Sequence, residues 1–256
     1  MNTSAAALLE QLTPLMRDAG QVIMDIYATD FDVTKKGDES PVTQADQKAE
    51  TVILAGLAKI APGIPVVAEE AVAAGNIPDV SDRFFLVDPL DGTKEFISRN
   101  GEFTVNIALV EHGKPVLGLV YAPAIGRMFT GAAGVGAWVE DKDGKRAIRC
   151  RAVPAEGLTV VASRSHGDET ALDAFLGGRK VASRTNAGSS LKLCLVAAGE
   201  ADLYPRLGRT MEWDIAAGDA VLRAAGGRVT VVADGADLRY GKPGFDNPHF
   251  AASGLA

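Results

Sequence analysis

Acidic residues stand at three points where apolar runs end or begin. Glu69 and Glu70 follow the run IPVVA, and the turn DPLDGT (88–93) follows the run FFLV. Residues 212–214, EWD, open the segment IAAGDAVLRAA, where an acidic side chain also complements the positive end of a helix dipole. Rigid elements commonly present functional residues on the loops at their ends. The pattern therefore predicts a cluster of carboxylates.

The DPLDGT turn contains residue types that suit the presentation of oxygen ligands. Pro89 has a fixed φ angle, and Gly92 permits a backbone conformation that other residues resist. Such a turn can aim Asp88, Asp91 and the Leu90 carbonyl at one point. Two divalent ions bridged by carboxylates position a water, polarise phosphoryl oxygens and stabilise the leaving oxygen. These acids thus predict hydrolysis of a phosphate monoester, without a cysteine or histidine nucleophile.

Each acidic group alone also has a purely structural explanation. The DPLDGT acids can shape a turn, Glu69 and Glu70 can form a solvated strand end, and Asp214 can cap a helix. The order strand-EE, strand-DPLDGT and WDxAAG, with the polar SPVTQAD upstream, is much more specific than any one group. The rival phosphate motif GxxxxGK[ST] is absent, and GAAGVGAW (131–138) lacks the GxGxxG spacing. GAAGVGAW is predicted to be a hairpin or a connection.

The composition argues against several classes of protein. The formal charge of -7, from 26 basic and 33 acidic residues, and the absence of a Lys/Arg block disfavour a nucleic-acid polymer as partner. Three widely separated histidines argue against a histidine-rich zinc site and leave oxygen ligands for a hard cation. Cys150 and Cys194 form no CxxC pair, so we expect reduced thiols in a cytoplasmic protein, with Cys194 in the core. No apolar run reaches roughly 18 to 20 residues, so no transmembrane segment is expected, while peripheral membrane contact and the oligomeric state stay open.

Apolar periodicity predicts an α+β first half. The chain of 256 residues has 47% hydrophobic residues, enough for one compact unit or two packed subdomains. The predicted elements are helices over 4–27 and 45–60, strands over 64–68 and 84–87, and an antiparallel meander over 103–139. Pro14 starts or kinks the first of these helices.

The second half alternates predicted strands and helices. They are a strand over 158–163, helices over 168–176 and 189–198, a strand over 202–204, a helix over 213–225 and a closing strand over 228–233. The fold class is therefore α/β (α+β). We predict an N-terminal α+β subdomain, residues 1–153, with most of the candidate metal ligands, and a C-terminal α/β subdomain, residues 154–256.

Three motifs, AEE (68–70), DPLDGT (88–93) and WDIAAG (213–218), resemble those of the lithium-sensitive inositol monophosphatase superfamily. The chain is more closely similar to 3'(2'),5'-bisphosphate nucleotidases of the CysQ type through SPVTQAD, VDPLDGTKEFISRNGEFTVNIALVEHGKPVLGLVYAP, SRSH, GSSLKLCLVAAGEADLYPRLG and MEWDIAAG. This resemblance covers nearly the whole chain. It implies a layered αβαβα sugar-phosphatase fold with a metal cleft between its halves.

The resemblance also implies Mg²⁺ as cofactor, as two or three ions, and inhibition by Li⁺. The Mg²⁺ ligands carried over by position are Glu69, Asp88, the Leu90 carbonyl, Asp91 and Asp214. The catalytic residues carried over are Asp46, Thr93 and Glu70. Asp46 and Thr93 match the pair that orients and deprotonates the attacking water, provided that the helix beginning near Asp46 points into the cleft. Glu70 would support a further ion or its waters.

For the substrate, the resemblance implies 3'-phosphoadenosine 5'-phosphate, hydrolysed to AMP and phosphate in the service of sulfur assimilation. The backbone groups of Gly92 and Thr93 would receive phosphate oxygens, beside the ligands Glu69, Leu90, Asp91 and Asp214. His166, Ser189, Lys192 and Arg206 match positions that contact the nucleotide and its second phosphate. Lys192 and Arg206 also have an alternative interpretation as ordinary surface charges.

Other functions stay open at this point. The same metal core serves inositol phosphate, fructose bisphosphate or another sugar phosphate as substrate. A non-catalytic metal or nucleotide sensor would retain the fold, but the presence of every carboxylate and of Thr93 argues against it. The tail GKPGFDNPHF (241–250) is similar but not identical to its counterpart in the family, and no catalytic role is predicted for it.

Overall fold

A computed structural model describes residues 4–31, 33–35, 41–163 and 169–255 of the chain. The α-helices in these ranges are α1 (Ala5–Tyr27), α2 (Gln44–Ile60), α3 (Glu69–Ala73), α4 (Thr93–Ile97), α5 (Glu169–Leu176), α6 (Leu191–Ala197) and α7 (Glu212–Ala224). The strands of the first half are β1 (Val33–Lys35), β2 (Pro41–Thr43), β3 (Val66–Ala68), β4 (Arg83–Asp91), β5 (Thr104–Glu111), β6 (Lys114–Ala122), β7 (Arg127–Ala132), β8 (Gly136–Asp141) and β9 (Gly144–Ile148). Those of the second half are β10 (Leu158–Ser163), β11 (Val181–Ala187), β12 (Leu203–Arg206), β13 (Arg228–Val231) and β14 (Phe250–Ser253).

The first large sheet has seven strands in the order β3-β4-β5-β6-β7-β8-β9. β3 runs parallel to β4, and every later neighbour is antiparallel. The predicted meander over 103–139 is confirmed, and GAAGVGAW forms the β7–β8 hairpin. The meander continues through β9, a strand that the sequence does not predict. β9 is an exposed edge strand with the charged sequence GKRAI, as expected where an edge must not pair with another chain.

The second large sheet has five strands in the order β11-β10-β12-β14-β13. β10 pairs in parallel with β11 and β12, and β14 pairs antiparallel with β12 and β13. The sequence does not predict β11, because VASRTNA is largely exposed at the sheet edge and lacks an apolar alternation. The strand predicted over 228–233 is present as β13 at the edge of the sheet, but it is not the last strand of the chain, since β14 follows it and inserts between β12 and β13.

The elements stack in five layers, as the αβαβα prediction requires. α1 and α2 pack on one face of the seven-stranded sheet, and α6 and α7 lie between the two sheets. Leu172 and Leu176 of α5 pack against Val160, Leu203 and Ala251 on the outer face of the second sheet. Within the described ranges, no helix is both long and apolar enough to cross a membrane.

Helix α1 is continuous from residue 5 to residue 27 and contains Pro14 in its interior. The sequence predicts that Pro14 either starts or kinks this helix. The first of these two predictions is wrong, because the helix begins nine residues before Pro14. The Ser4 side chain caps the helix by accepting from the Ala7 amide at 3.2 Å. The buried face of α1 consists of Leu8, Leu9, Leu12, Leu15, Met16, Ala19, Gly20 and Ile23.

Helix α7 belongs to the second half of the sequence but packs on the first sheet. Gly118 on β6 makes this approach possible, because a Cβ atom there would lie 2.2 Å from the Ala217 carbonyl oxygen. Gly131 on β7 has the same function, since its Cβ would lie 2.8 Å from Val221 Cα. Close packing of α7 on this sheet brings the first turn of the helix, with Asp214, toward the acidic ends of β3 and β4.

Candidate active site

Two parallel strands deliver the first acidic residues to one sheet edge. β3 ends at Ala68, and β4 carries Asp88 and Asp91 at its end. Glu69 and Glu70 form the first turn of α3, where carboxylates are favoured by the helix dipole, and not a solvated strand end. The Glu70 amide donates to Glu50 Oε2 of α2 at 2.8 Å, which ties this turn to the neighbouring helix.

The DPLDGT turn contains a bulge that changes the direction of its side chains. The pairing of β4 with β5 shifts between Asp88, opposite Asn106, and Asp91, opposite Thr104. One extra residue on β4 therefore interrupts the ladder, a device that commonly re-aims side chains beside active sites. The Leu90 amide donates to Asp88 Oδ1 at 3.0 Å. Gly92 then has a φ of 91°, which glycine adopts without strain, and α4 begins at the next residue.

Asp91 and Asp214 are joined through Ser190, which precedes α6. The Ser190 amide donates to Asp91 Oδ2 at 2.6 Å, and its hydroxyl donates to the Asp214 carbonyl. Asn106 Nδ2 donates to Ser190 Oγ at 2.9 Å and lies 3.5 Å from Asp91 Oδ2. Sequence reasoning missed both Asn106 and Ser190. For Asn106 the sequence did carry a signal, because a lone asparagine within the apolar strand TVNIALV indicates a buried polar group that needs a partner.

Burial and mutual repulsion raise the pKa values of the clustered acids. The pKa of Asp88 lies well above its usual value because the carboxyl is buried and faces the charges of Glu69, Asp91 and Asp214. Burial, with Asp91 and Glu69 nearby, likewise raises the pKa of Asp214. Burial raises the pKa of Asp91 to about 6, although Lys192 and Ser190 act in the opposite direction.

This donor set fits a hard divalent cation. Carboxylates and a backbone carbonyl are the ligands that Mg²⁺ and Ca²⁺ prefer, and a cation would relieve the repulsion that raises the pKa of Asp88. Among the described residues, however, no three His, Cys, Asp or Glu side chains are grouped as a ready metal site. The individual ligands Glu69, Asp88, Leu90, Asp91 and Asp214 therefore stay predictions.

Asp46 and Thr93 meet as the predicted water-activating pair requires. Thr93 Oγ1 donates to Asp46 Oδ1 at 3.3 Å. The other oxygen of Asp46, Oδ2, accepts from the Thr43 amide and hydroxyl, both at 2.8 Å. Asp46 is 1% exposed, so Thr43 and Thr93 hold its carboxyl in one orientation. Thr93 Oγ1 also lies 3.4 Å from the Leu90 carbonyl oxygen.

A cavity of about 530 Å³ opens beside these acids. Most of the predicted site residues line it: Glu69, Asp91, Gly92, Thr93, Ser189, Lys192, Arg206 and Asp214. Asp88 and Leu90 lie beneath its surface, each 1% exposed. His166 lies outside the described residues. Glu70 is not among the residues that line the cavity, and its catalytic role stays a prediction.

Basic residues also line the cavity, and we call Lys192, Arg206 and Arg209 its basic wall. Lys192 is 4% exposed, which rules out an ordinary surface charge. Its Nζ donates to the carbonyls of Ala187 and Ser189 at 3.2 and 2.5 Å and lies over the Tyr204 ring. Burial lowers the pKa of Lys192 to about 8. Arg206 Nη2 donates to the Arg209 carbonyl at 2.9 Å, while the Arg209 side chain donates from Nε to Asp246 Oδ1 at 2.9 Å.

Several residues that line the cavity were not predicted individually: Ser163, Lys94, Glu95, Ser190, Leu193, Tyr204, Arg209, Thr210, Met211 and Ile215. Glu95 belongs to the TKEF segment, and Arg209 to Met211 stand directly before the EWD motif, so their neighbours gave a signal. Apart from that position, nothing in the sequence distinguishes Arg209 from any other arginine.

Comparison with known proteins finds similar chains within one family. Residues 5–253 match the model of the inositol monophosphatase family. The chain is 50% identical over 224 residues to the 3'(2'),5'-bisphosphate nucleotidase CysQ of Shigella flexneri, a match that covers 87% of this chain and 89% of that protein. It is 42% identical over 253 residues to the protein of the same name from Buchnera aphidicola, covering 97% and 94%.

A solved structure agrees with the fold. It is that of CysQ from Bacteroides thetaiotaomicron, described as a bacterial member of the inositol monophosphatase family. The TM-score is 0.81 at 37% identity, with 96% of each chain covered. The predicted fold class is thereby confirmed.

Proposed function

Because the chain belongs to the inositol monophosphatase family, we propose that it is a Mg²⁺-dependent phosphatase that converts 3'-phosphoadenosine 5'-phosphate to AMP and phosphate. One observation carries the proposal. A single cavity joins the acids Glu69, Asp91 and Asp214 to the basic wall of Lys192, Arg206 and Arg209. A substrate with two separated phosphates suits such a cavity, because one phosphate reaches the acids through metal ions and the other meets the wall.

In this proposal the oxygen ligands of Mg²⁺ are Glu69, Asp88, the Leu90 carbonyl, Asp91 and Asp214, with Glu70 supporting a further ion or its waters. When bound, the ions activate a water and stabilise the leaving oxygen. Occupancy by two or three ions and inhibition by Li⁺ belong to the same proposal. The protein contributes the fixed orientation of the ligands, through the DPLDGT bulge and through the bonds of Ser190.

In this proposal, Thr93 and Asp46 accept the proton of the attacking water. The Thr93 hydroxyl proton is directed to Asp46 Oδ1, so the lone pairs of Thr93 Oγ1 are available to accept a hydrogen bond from the attacking water. Asp46 Oδ1 can then receive a proton through Thr93, while Oδ2 stays bound to Thr43. This arrangement agrees with a general base that is positioned by its neighbours.

Recognition of the nucleotide is assigned to Ser189, Lys192 and Arg206, with His166 as a further predicted contact. Lys192 has a pKa of about 8, so it is mostly protonated at neutral pH and suited to a phosphate. An inositol monophosphate would bring no second phosphate to the basic wall. The nucleotidase name of relatives that are 50% identical also favours a nucleoside bisphosphate over a sugar phosphate.

We place this activity in the cytoplasm and in sulfur assimilation. Cys150 and Cys194 are both buried and free, as is usual in a reducing compartment. Peripheral contact with a membrane is compatible with this location.

Steady-state kinetics with titrated Mg²⁺ tests the proposal. The kcat/KM for 3'-phosphoadenosine 5'-phosphate should exceed that for inositol 1-phosphate. A higher kcat/KM for the inositol ester would overturn the substrate assignment and leave the phosphatase chemistry standing.

A further inference from the structure

The segment 240–247, which we call the strap, crosses the start of helix α7. It contains most of the tail for which the sequence predicts no role. Phe245 of the strap packs against Trp213 with ring centroids 6.0 Å apart. Trp213 is the residue directly before Asp214, so the strap lies close to a predicted metal ligand without touching the cavity.

Glu212 is the main anchor of the strap. It is fully buried, and its carboxylate accepts from the Gly241 amide at 2.7 Å and the Lys242 amide at 2.9 Å. Lys242 Nζ completes the set by donating to Glu212 Oε1 at 2.6 Å. Charge-assisted bonds to a buried carboxylate are stronger than neutral ones, so the strap and the first residue of α7 are held together.

Lys242 also connects Glu212 to Asn247. Its Nζ donates to Asn247 Oδ1 at 3.1 Å, which orients the amide so that Nδ2 faces the chain before α7. Asn247 Nδ2 donates to the Met211 carbonyl at 2.8 Å, and the Asn247 amide donates to the Thr210 carbonyl at 2.9 Å. The Lys242 ammonium thus fixes the side chain that binds Met211.

Met211 connects the strap to the candidate active site. Its amide donates to Asp214 Oδ2 at 2.9 Å, so the position of Met211 sets the orientation of the Asp214 carboxylate. Met211 and Thr210 also line the cavity. An unbroken series of bonds therefore runs from Lys242 through Asn247 and Met211 to Asp214.

We propose that Lys242 and Asn247 are positioning residues for the metal ligand Asp214, acting through Met211. This inference rests on the proposed function only in taking Asp214 as a ligand. Partners that orient metal ligands typically change metal affinity by about 10- to 100-fold when they are removed. A residue that only stabilised the fold would lower the melting temperature and leave the affinity of the folded protein unchanged.

The test is calorimetric titration of the full chain with Mn²⁺ alone, without substrate. Asn247→Ala and Lys242→Met should each weaken Mn²⁺ binding by about tenfold. Lys242→Arg should retain wild-type affinity because a cation still reaches Glu212 and Asn247. Lys114→Met, the same change at an exposed lysine outside the strap, is the matched control. Unchanged Mn²⁺ affinity in both folded strap variants would overturn the proposal.

Two further measurements keep the test decisive. If Asn247→Ala does not fold, Asn247→Asp replaces the donor to the Met211 carbonyl by an oxygen and retains an acceptor for Lys242. It should again weaken Mn²⁺ binding. Acrylamide quenching of Trp213 fluorescence in a Trp138→Phe background should increase in the strap variants, and unchanged quenching would count against the proposal. If the wild type binds Mn²⁺ but does not hydrolyse the nucleotide, the proposed function fails while the strap proposal is still tested.

Discussion

Thr93 and Asp46 lie 47 positions apart in sequence, and their side chains meet with Thr93 Oγ1 3.3 Å from Asp46 Oδ1. The contact joins the start of α4 to the first turn of α2. Asp46 has a second function there, since its Oδ2 caps α2 through the Thr43 amide. The helix cap holds one oxygen of the carboxylate, and the other, Oδ1, accepts from Thr93, which lines the cavity.

Removal of this pair should lower turnover without removing the metal. We expect Thr93→Val to reduce kcat by about 100- to 10,000-fold, the usual contribution of a positioned acid or base. The isosteric valine keeps the packing, so Mn²⁺ affinity and the melting temperature should change little. Asp46→Asn should reduce kcat on a similar scale because the amide no longer receives a proton. Loss of Mn²⁺ binding together with kcat would instead indicate a ligand role for Thr93.

Asp88→Asn should separate stability from activity. The raised pKa of Asp88 means that its charge destabilises the metal-free protein, and asparagine can keep the acceptor for the Leu90 amide. The melting temperature in EDTA should therefore rise, by about 2 to 4 °C for each kcal/mol of relief. Mg²⁺-dependent activity should fall by about 100-fold or more, as for other lost electrostatic stabilisers. Full activity at saturating Mg²⁺ would contradict the two-ion account.

The stability of the metal-free protein should depend on pH in a defined direction. The folded pKa of Asp91 is about 6, above the ordinary aspartate value of 3.8, so the folded protein holds this proton more tightly than the unfolded chain. Ionisation then removes stability as the pH rises from about 4 through about 6. We expect the melting temperature in EDTA to fall across this window, and Mg²⁺ to reduce the fall by stabilising the ionised form.

The contribution of Asp219 to this pH dependence must be separated from that of Asp91. The pKa of Asp219 is also raised to about 6 by burial, although Arg223 and Tyr240 donate to it. An Asp219→Asn background removes this contribution. If Mg²⁺ leaves the pH dependence of that variant unchanged, Asp91 does not lie at a metal site.

Lys192 should contribute more to the binding of a bisphosphate than of a monophosphate. Lys192→Ala should raise KM for 3'-phosphoadenosine 5'-phosphate by about tenfold, the scale of one lost hydrogen bond to a charged group. The effect on adenosine 3'-monophosphate should be smaller, and Lys114→Ala serves as the control. Equal increases in KM for both substrates would remove its role at the second phosphate and leave only its bonds to Ala187 and Ser189.

Local sequence signals predicted much of the fold and the acidic part of the site. The residue types and the spacing of the DPLDGT turn and the EWD motif were enough to predict a cluster of carboxylates. The meander is visible because apolar runs alternate with turn residues. Strands β11 and β14 were missed because one is polar and exposed at an edge, and the other is inserted out of sequence order between two strands.

Long-range hydrogen bonds explain what sequence could not predict. Ser190 and Asn106 meet across 84 positions, and Asn247 contacts Met211 across 36. No spacing rule connects such positions, because their contact depends on how α7 packs between the sheets. The same holds for the ion pair of Lys242 and Glu212, which lie 30 positions apart.

Product analysis with and without metal tests the central claim most directly. Purified protein incubated with 3'-phosphoadenosine 5'-phosphate and Mg²⁺ should release inorganic phosphate and AMP in equal amounts, and EDTA should abolish the reaction. Release of adenosine 3'-monophosphate, or undiminished turnover in EDTA, would contradict the account.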